Sequence, residues 1–105
     1  MPEKYSLKIL PSAAQNLEET FEYISRILGN ETAAANLVQD IFDALDLVRY
    51  NPEMCPIVKN ERVSRPDFRR LQVKKYLIFY RADHENREIK VYRVIYEKRK
   101  YEDIL

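Results

Sequence analysis

The last third of the chain, residues 69–105, decides the fold and reads RRLQVKKYLIFYRADHENREIKVYRVIYEKRKYEDIL. Residues 75–82 and 88–96 are both rich in Tyr, Ile, Val, Leu and Phe, which favour β-strands. Polar residues at 83–86, Asp-His-Glu-Asn, separate the two runs and are typical of a turn. The stretch therefore predicts a long β-hairpin, entered by a shorter strand at residues 68–73.

The residues before this stretch predict one strand and two helices. Residues 5–10 alternate between apolar and polar, which indicates a half-buried strand. Ser12 is a predicted N-cap, with Gln15 completing a capping box, and Gly29 is a predicted helix end. A second helix is predicted from about residue 30 to residue 50, where Asn-Pro follows. The expected buried stripes are Ala14, Leu17, Phe21, Ile24 and Leu28 in the first helix, and Ala34, Leu37, Ile41, Leu45 and Val48 in the second.

Together these elements predict an α+β fold. We expect an N-terminal strand, an antiparallel helical hairpin and then a three-stranded antiparallel meander, forming one sheet with the helices on one face. A length of 105 residues predicts a single domain over residues 1–105. Strand alternation leads us to expect Leu77 and Phe79 against the helices. The tyrosines expected together on the opposite face are Tyr76, Tyr80, Tyr92 and Tyr96.

The distribution of charge predicts a polyanionic partner for the C-terminal half. Residues 1–58 contain four Lys or Arg and nine Asp or Glu, whereas residues 59–105 contain fourteen and eight. Aromatic rings interleaved with basic side chains are typical of surfaces that bind single-stranded nucleic acid. An amphipathic sheet face with its hydroxyls in water is the alternative. The residues expected to bind nucleic acid are Lys59, Arg62, Arg65, Lys74, Lys75 and Arg81.

The composition also excludes several kinds of site. A single glycine excludes the glycine-rich loops that bind phosphates or carry a nucleophilic serine. Cys55 is the only cysteine and His84 the only histidine, so we expect neither a metal nor a cofactor. No signal peptide is evident and no apolar run approaches the roughly 18 residues of a membrane span. We therefore expect a cytoplasmic protein with no membrane partner.

Five segments of the chain resemble a known family. They are LKILPSAAQNLEETFEYI at 7–24, AAANLVQDIFDALDLVRYNP at 33–52, RRLQVKKYLIFYR at 69–81, RVIY at 93–96 and EKRKY at 97–101. In order and character these segments resemble the RelE/ParE superfamily, the toxins of bacterial type II toxin–antitoxin modules. The resemblance implies a toxin that inhibits growth and is neutralised by a cognate antitoxin.

The resemblance implies, in the first place, ribosome-dependent cleavage of mRNA, with the ribosome and mRNA as partners. RelE-like members cut mRNA with basic residues on the sheet and with a C-terminal arginine and tyrosine. By position, Arg69 and Arg70 correspond to the basic strand residues, and Arg99 corresponds to the arginine that stabilises the transition state. Tyr96 or Tyr101 would stack on a base or transfer a proton. These five residues are the expected catalytic set.

Poisoning of DNA gyrase is the alternative that the same resemblance implies. ParE-like members share the scaffold and act on gyrase with its DNA, which requires no nucleophile. Leu77 stands where some RelE-like toxins have an arginine, and Tyr96 stands close to where others have a histidine. A third reading is an inactive relative or a binding module without toxicity.

Overall fold

The computed structural model describes residues 4–59 and 67–98, which form a helical hairpin packed on one four-stranded sheet. The elements are β1 (Ser6–Ile9), α1 (Pro11–Glu22) followed by a π-helical turn (Tyr23–Ile27), α2 (Glu31–Tyr50), β2 (Arg69–Val73), β3 (Tyr76–Asp83) and β4 (Glu88–Tyr96). The predicted α+β fold is confirmed. In the described residues no helix is both long enough and apolar enough to cross a membrane.

The sheet is mixed, with the strand order β1-β4-β3-β2. β2, β3 and β4 form the predicted antiparallel meander, whereas β1 joins its edge parallel to β4. β1 covers only the first part of β4, from Glu88 to Val91. Beyond β1, the backbone N–H of Val94 donates to Asn16 Oδ1 at 3.1 Å, so a side chain of α1 pairs with a backbone group of β4 that β1 does not reach.

The second helix follows its sequence pattern closely. Asn30 is its N-cap, and the Asn30 side chain accepts a hydrogen bond from the backbone N–H of Ala33 at 3.0 Å. Gly29 precedes it with a φ of +66°, a left-handed conformation that glycine adopts without steric cost. The predicted buried stripe is confirmed, since the buried residues of α2 are Ala34, Leu37, Ile41, Leu45 and Val48.

The first helix ends at Gly29 as predicted, but its start and its buried stripe differ from the prediction. It begins at Pro11, which is favoured at the first helical position because its φ is fixed and it lacks an N–H. The predicted capping box at Ser12 and Gln15 is therefore wrong. At the other end, the N–H of Leu28 donates to the carbonyl of Tyr23 at 3.1 Å, which closes a wider π-helical turn. Leu17 and Ile24 pack on the core as expected, but the buried alanine is Ala13 rather than Ala14, and Phe21 and Leu28 are exposed.

The sheet buries apolar side chains on both faces. Which face meets the helices is the reverse of what was predicted. Ile78 and Tyr80 of β3 are fully buried on the side of the helices. Leu77 and Phe79 lie on the opposite side, in a second cluster with Val58, Phe68, Tyr92 and Ile95. Period-two alternation separates the two faces of a strand but does not say which one meets the helices. The four tyrosines expected on one surface are therefore divided between the two faces.

A segment after α2 forms the border of the second cluster. The N–H of Val58 donates to the carbonyl of Phe68 at 2.8 Å, and the N–H of Arg70 donates to the carbonyl of Pro56 at 3.1 Å. Ile57 forms an antiparallel β-bridge with Arg69, so the segment is extended at this point. The basic C-terminal half is thereby tied to the helical hairpin by backbone hydrogen bonds.

Candidate functional site

The sheet face that points away from the helices, here called the outer face, carries a row of two arginines around a phenylalanine. Arg70 pairs with Phe79 across β2 and β3, and Phe79 pairs with Arg93 across β3 and β4. Directly paired residues of a sheet point to the same side. Since Phe79 belongs to the outer cluster, Arg70 and Arg93 flank it on the outer face. We call these three residues the arginine row.

A β-bulge in β4 gives Arg93 this position. Tyr80 pairs with Val91 and the preceding Phe79 pairs with Arg93, so Tyr92 is an extra residue on β4. In a regular ladder Arg93 would lie opposite Ile78, on the face that packs against the helices, where burial of its charge would be costly. The bulge instead brings Arg93 to the outer face.

Two other cations of the outer face are already paired with acidic residues. Arg81 contacts Asp67 through its Nε atom and donates to the hydroxyl of Tyr92 at 3.2 Å. The hydrogen bond to Tyr92, followed by that to Asp67, raises the pKa of Arg81 and keeps it charged. Lys90 lies 3.2 Å from Asp83. Arg81, expected to bind nucleic acid, is thus on the outer face but held by neighbours.

Arg69, although adjacent to Arg70 in sequence, points to the other side of the sheet. It pairs with Tyr80, whose side chain is buried among the helices. Its Nη1 atom donates to the backbone carbonyl of Cys55 at 2.7 Å and to that of Glu53 at 3.3 Å. In this position Arg69 fastens the segment after α2 to the sheet.

The expected catalytic residue Tyr96 also lies on the side of the helices. Its ring centroid is 5.6 Å from that of Tyr76, its cross-strand partner. Burial raises the pKa of Tyr76, and the nearby hydroxyls of Tyr96 and Tyr23 raise it further. The rings line a groove of about 790 Å³ between the helical hairpin and the sheet. Its apolar walls include Tyr23, Ile24, Leu28, Tyr76, Val94 and Tyr96.

The remaining predicted residues are scattered. Lys74 and Lys75 form the turn between β2 and β3 and line the same groove, where Lys74 pairs with Asp40 of α2 at 2.9 Å. Lys59 is exposed at the end of the first described segment. Four predicted residues lie outside the described residues, namely Arg62, Arg65, Arg99 and Tyr101. Of the predicted residues that are described, Arg70 and Arg81 share the outer face.

Sequence reasoning missed Arg93, although the pattern holds a signal for it. Val91 and Val94 are both buried on the side of the helices, with two residues between them instead of one. Such a break in alternation within an otherwise regular strand indicates a bulge. The residues in the break, Tyr92 and Arg93, are those that the bulge directs outward.

A hydrogen-bonded cluster at the opposite end of the sheet from the groove was also missed. The hydroxyl of Tyr5 lies 2.7 Å from Nδ1 of His84, and Nε2 of His84 lies 3.1 Å from Glu53. The guanidinium of Arg87 stacks over the Tyr5 ring, 5.6 Å from its centroid. The cluster joins the start of β1, the turn before β4 and the segment after α2. We interpret the cluster as structural, because its hydrogen bonds connect three segments that are far apart in the sequence.

The chemistry available on the outer face is electrostatic. Guanidinium groups bind phosphate and stabilise negative charge, and they do not transfer protons at ordinary pH. In the part of the chain that the structure describes, no three His, Cys, Asp or Glu residues are arranged to hold a metal ion. The outer face therefore suits the binding of a polyanion.

Comparison with known proteins identifies a family. The family model described as ParE toxin of the type II toxin–antitoxin system, parDE, matches residues 7–101. No curated protein matches the sequence. Among solved structures, a chain of the chromosomal ParDE system from P. aeruginosa is 20% identical, with a TM-score of 0.68, and the match covers 89% of this chain and 96% of that one.

A second similar structure is that of the toxin–antitoxin complex RelBE2 from Mycobacterium tuberculosis. The two chains are 17% identical, with a TM-score of 0.62, and the match covers 90% of this chain and 99% of the other. At these identities the two structures establish a shared fold. Because the family model covers nearly the whole chain, the chain belongs to the ParE toxin family of type II toxin–antitoxin systems.

Proposed function

We propose that this toxin inhibits growth by poisoning DNA gyrase rather than by cutting mRNA. The observation that carries the proposal is the division of the expected catalytic residues between the two faces of the sheet. Arg70 faces outward, whereas Arg69 is hydrogen-bonded to backbone carbonyls and Tyr96 packs beside Tyr76. The outer arginines are suited to holding the phosphates of a protein–DNA complex, and gyrase poisoning requires no proton transfer by the toxin.

The experiment is pulse labelling after induction of the toxin alone in bacteria. Loss of thymidine incorporation in the first minutes, with filamentation and DNA breaks, is the expected result. Purified gyrase should then convert supercoiled plasmid to linear DNA in the presence of the toxin. Early loss of methionine incorporation with intact DNA would contradict gyrase poisoning, and no effect on either label would contradict toxicity itself.

Ribosome-dependent cleavage of mRNA is the second candidate, and the exposed Arg70 on the outer face favours it. In that mechanism Arg70 would hold a phosphate, Arg99 would stabilise the transition state, and Tyr96 or Tyr101 would stack on a base or transfer a proton. One such transition-state contact is worth about 3 kcal/mol. The Arg99→Ala variant should then lose cleavage in a primer-extension assay on mRNA while keeping its melting temperature.

A cognate antitoxin belongs to the proposal, and we propose that an amphipathic, acidic segment of it docks in the groove. The similar structures from P. aeruginosa and M. tuberculosis come from toxin–antitoxin systems. The groove offers apolar side chains next to Lys75, a combination that complements an acidic amphipathic helix or strand. Leu28, on the groove, and Leu47, on α2, are similarly exposed, at 59% and 62%.

These two leucines give a matched pair of variants for the antitoxin site. Toxin with Leu28→Asp should remain toxic when co-expressed with its antitoxin, because a carboxylate would be buried in the docked complex. Toxin with Leu47→Asp should still be neutralised. Equal neutralisation of both variants would exclude the groove as the docking site.

A further inference from the structure

We propose that Arg93 and Arg70 together form a binding site for the phosphodiester backbone of nucleic acid, with Arg93 as a contact that the β-bulge creates. The inference rests on the proposed function, since it names the groups through which the toxin holds the nucleic acid of its target. The inference is based on the arginine row, in which Arg70 and Arg93 pair with Phe79 from the two strands on either side of it.

The spacing of the row suits phosphate groups. Neighbouring strands lie about 4.8 Å apart, so the Cα atoms of two residues separated by one strand are about 10 Å apart. Guanidinium groups on such long side chains can converge on one phosphate or hold two successive phosphates of a single strand. Each group offers a planar fork of donors that matches the oxygens of a phosphate.

Both guanidinium groups are available for this role. In the described residues neither makes a hydrogen bond or an ion pair with its side chain, and Arg70 is exposed while Arg93 is half-buried. The acidic residues Asp67 and Asp83 are already paired with Arg81 and Lys90. The two positive charges of the row are therefore not neutralised by these carboxylates.

The surroundings of the row strengthen its attraction for an anion. Phe79 between the arginines is fully buried and belongs to an apolar cluster with Leu77 and Ile95. A charge that lies over an apolar layer is less screened than one surrounded by water.

The test is binding of a fluorescein-labelled single-stranded oligonucleotide to the full chain, followed by fluorescence anisotropy at several salt concentrations. DNA and RNA versions of the same oligonucleotide serve as probes. Arg93→Gln keeps much of the side-chain length but removes the charge, and should weaken binding about tenfold, as should Arg70→Gln. Each should also reduce the slope of log K against log salt by about 0.7, the contribution of one phosphate contact on a single strand.

Arg26→Gln is the matched control, because Arg26 is an exposed arginine that pairs with Glu22 on the helical hairpin. It should change binding by less than about twofold. Melting temperatures of all three variants show whether they are folded. If Arg93→Gln binds like Arg26→Gln, or if the unaltered chain does not bind either probe at low salt, the inference is wrong.

The result also separates the inference from the proposed function. Binding that depends on Arg93 without any effect on gyrase would uphold the site and contradict gyrase poisoning. Gyrase poisoning that survives in Arg93→Gln, together with unchanged oligonucleotide binding, would uphold the function and overturn the site.

Discussion

The substitution Tyr80→Phe removes one hydroxyl group and tests how the core holds the segment after α2. Tyr80 is fully buried, and its hydroxyl donates to the carbonyl of Pro52 at 3.0 Å. Phenylalanine keeps the ring and leaves almost no cavity, so the packing contribution is unchanged. The hydrogen bond to Pro52 is lost in buried surroundings, and the carbonyl oxygen of Pro52 is left without this partner.

The expected loss in the free energy of unfolding is about 1–1.5 kcal/mol. For a domain of this size that corresponds to a fall in melting temperature of roughly 5–10 °C, measured by circular dichroism. Tyr50→Phe is the control, because Tyr50 is 53% exposed, and its expected change is within about 0.5 kcal/mol. Equal melting temperatures for Tyr80→Phe and the unaltered chain would refute the reasoning.

The same variant carries a pH dependence whose sign follows from the pKa. Burial, followed by the hydrogen bond with Cys55, raises the pKa of Tyr80 well above its ordinary value of 10.0. In the unfolded chain the phenol loses its proton near pH 10, whereas in the folded protein it stays neutral. The unaltered chain should therefore lose stability as the pH rises above 10, by up to about 1.4 kcal/mol per pH unit, and Tyr80→Phe should lack this contribution.

Three further perturbations separate structural from functional side chains. Arg69→Ala should lose roughly 2 kcal/mol of stability in a thermal melt, since it removes hydrogen bonds to two backbone carbonyls. Arg70→Ala should melt normally and lose toxicity. A stable Arg69→Ala beside a destabilised Arg70→Ala would contradict the assignment of faces. Asn30→Ala should cost about 1 kcal/mol in the same melt, and Asn30→Asp should not, because aspartate still caps α2. NMR titration should give Asp83 a pKa of about 2, because Asn86 donates side-chain and backbone hydrogen bonds to its carboxylate. The contribution of Asp83 to stability should be present above pH 4 and should be lost as the pH falls towards 2. An unshifted pKa in the intact chain would contradict those hydrogen bonds.

Most of the fold was predictable because its elements carry strong local signals. α2 has an N-cap, an apolar residue every third or fourth position and a terminating Asn-Pro, and the structure follows all three. The long hairpin has two apolar runs around a polar turn. α1 was predicted less accurately, because the π-helical turn at Tyr23–Ile27 packs against α2 and is not signalled by local propensity.

The candidate site was less predictable, because it depends on which face of each strand meets the helices. Arg69 and Arg70 must point to opposite sides of β2, and the neighbouring sequence favours neither one for a functional role. The available clue was strand alternation. Arg69 lies on the same side of β2 as Leu71 and Val73, which are both buried in the helix-side core. The bulge is harder to foresee, since it is fixed by the pairing of β4 with β3 over the whole length of the hairpin.

The place of β1 in the sheet has a consequence for the order in which the protein can assemble. Its partners, from Glu88 to Val91, are made some eighty residues after it, so this edge of the sheet cannot close until β4 has been synthesised. The helical hairpin emerges earlier, yet much of its apolar surface is covered by strands that follow it in the chain. Such distant pairings are slow to form and leave apolar surface uncovered in the meantime. A toxin built in this order gains its finished arginine row only once β4 has been synthesised and has paired with β3.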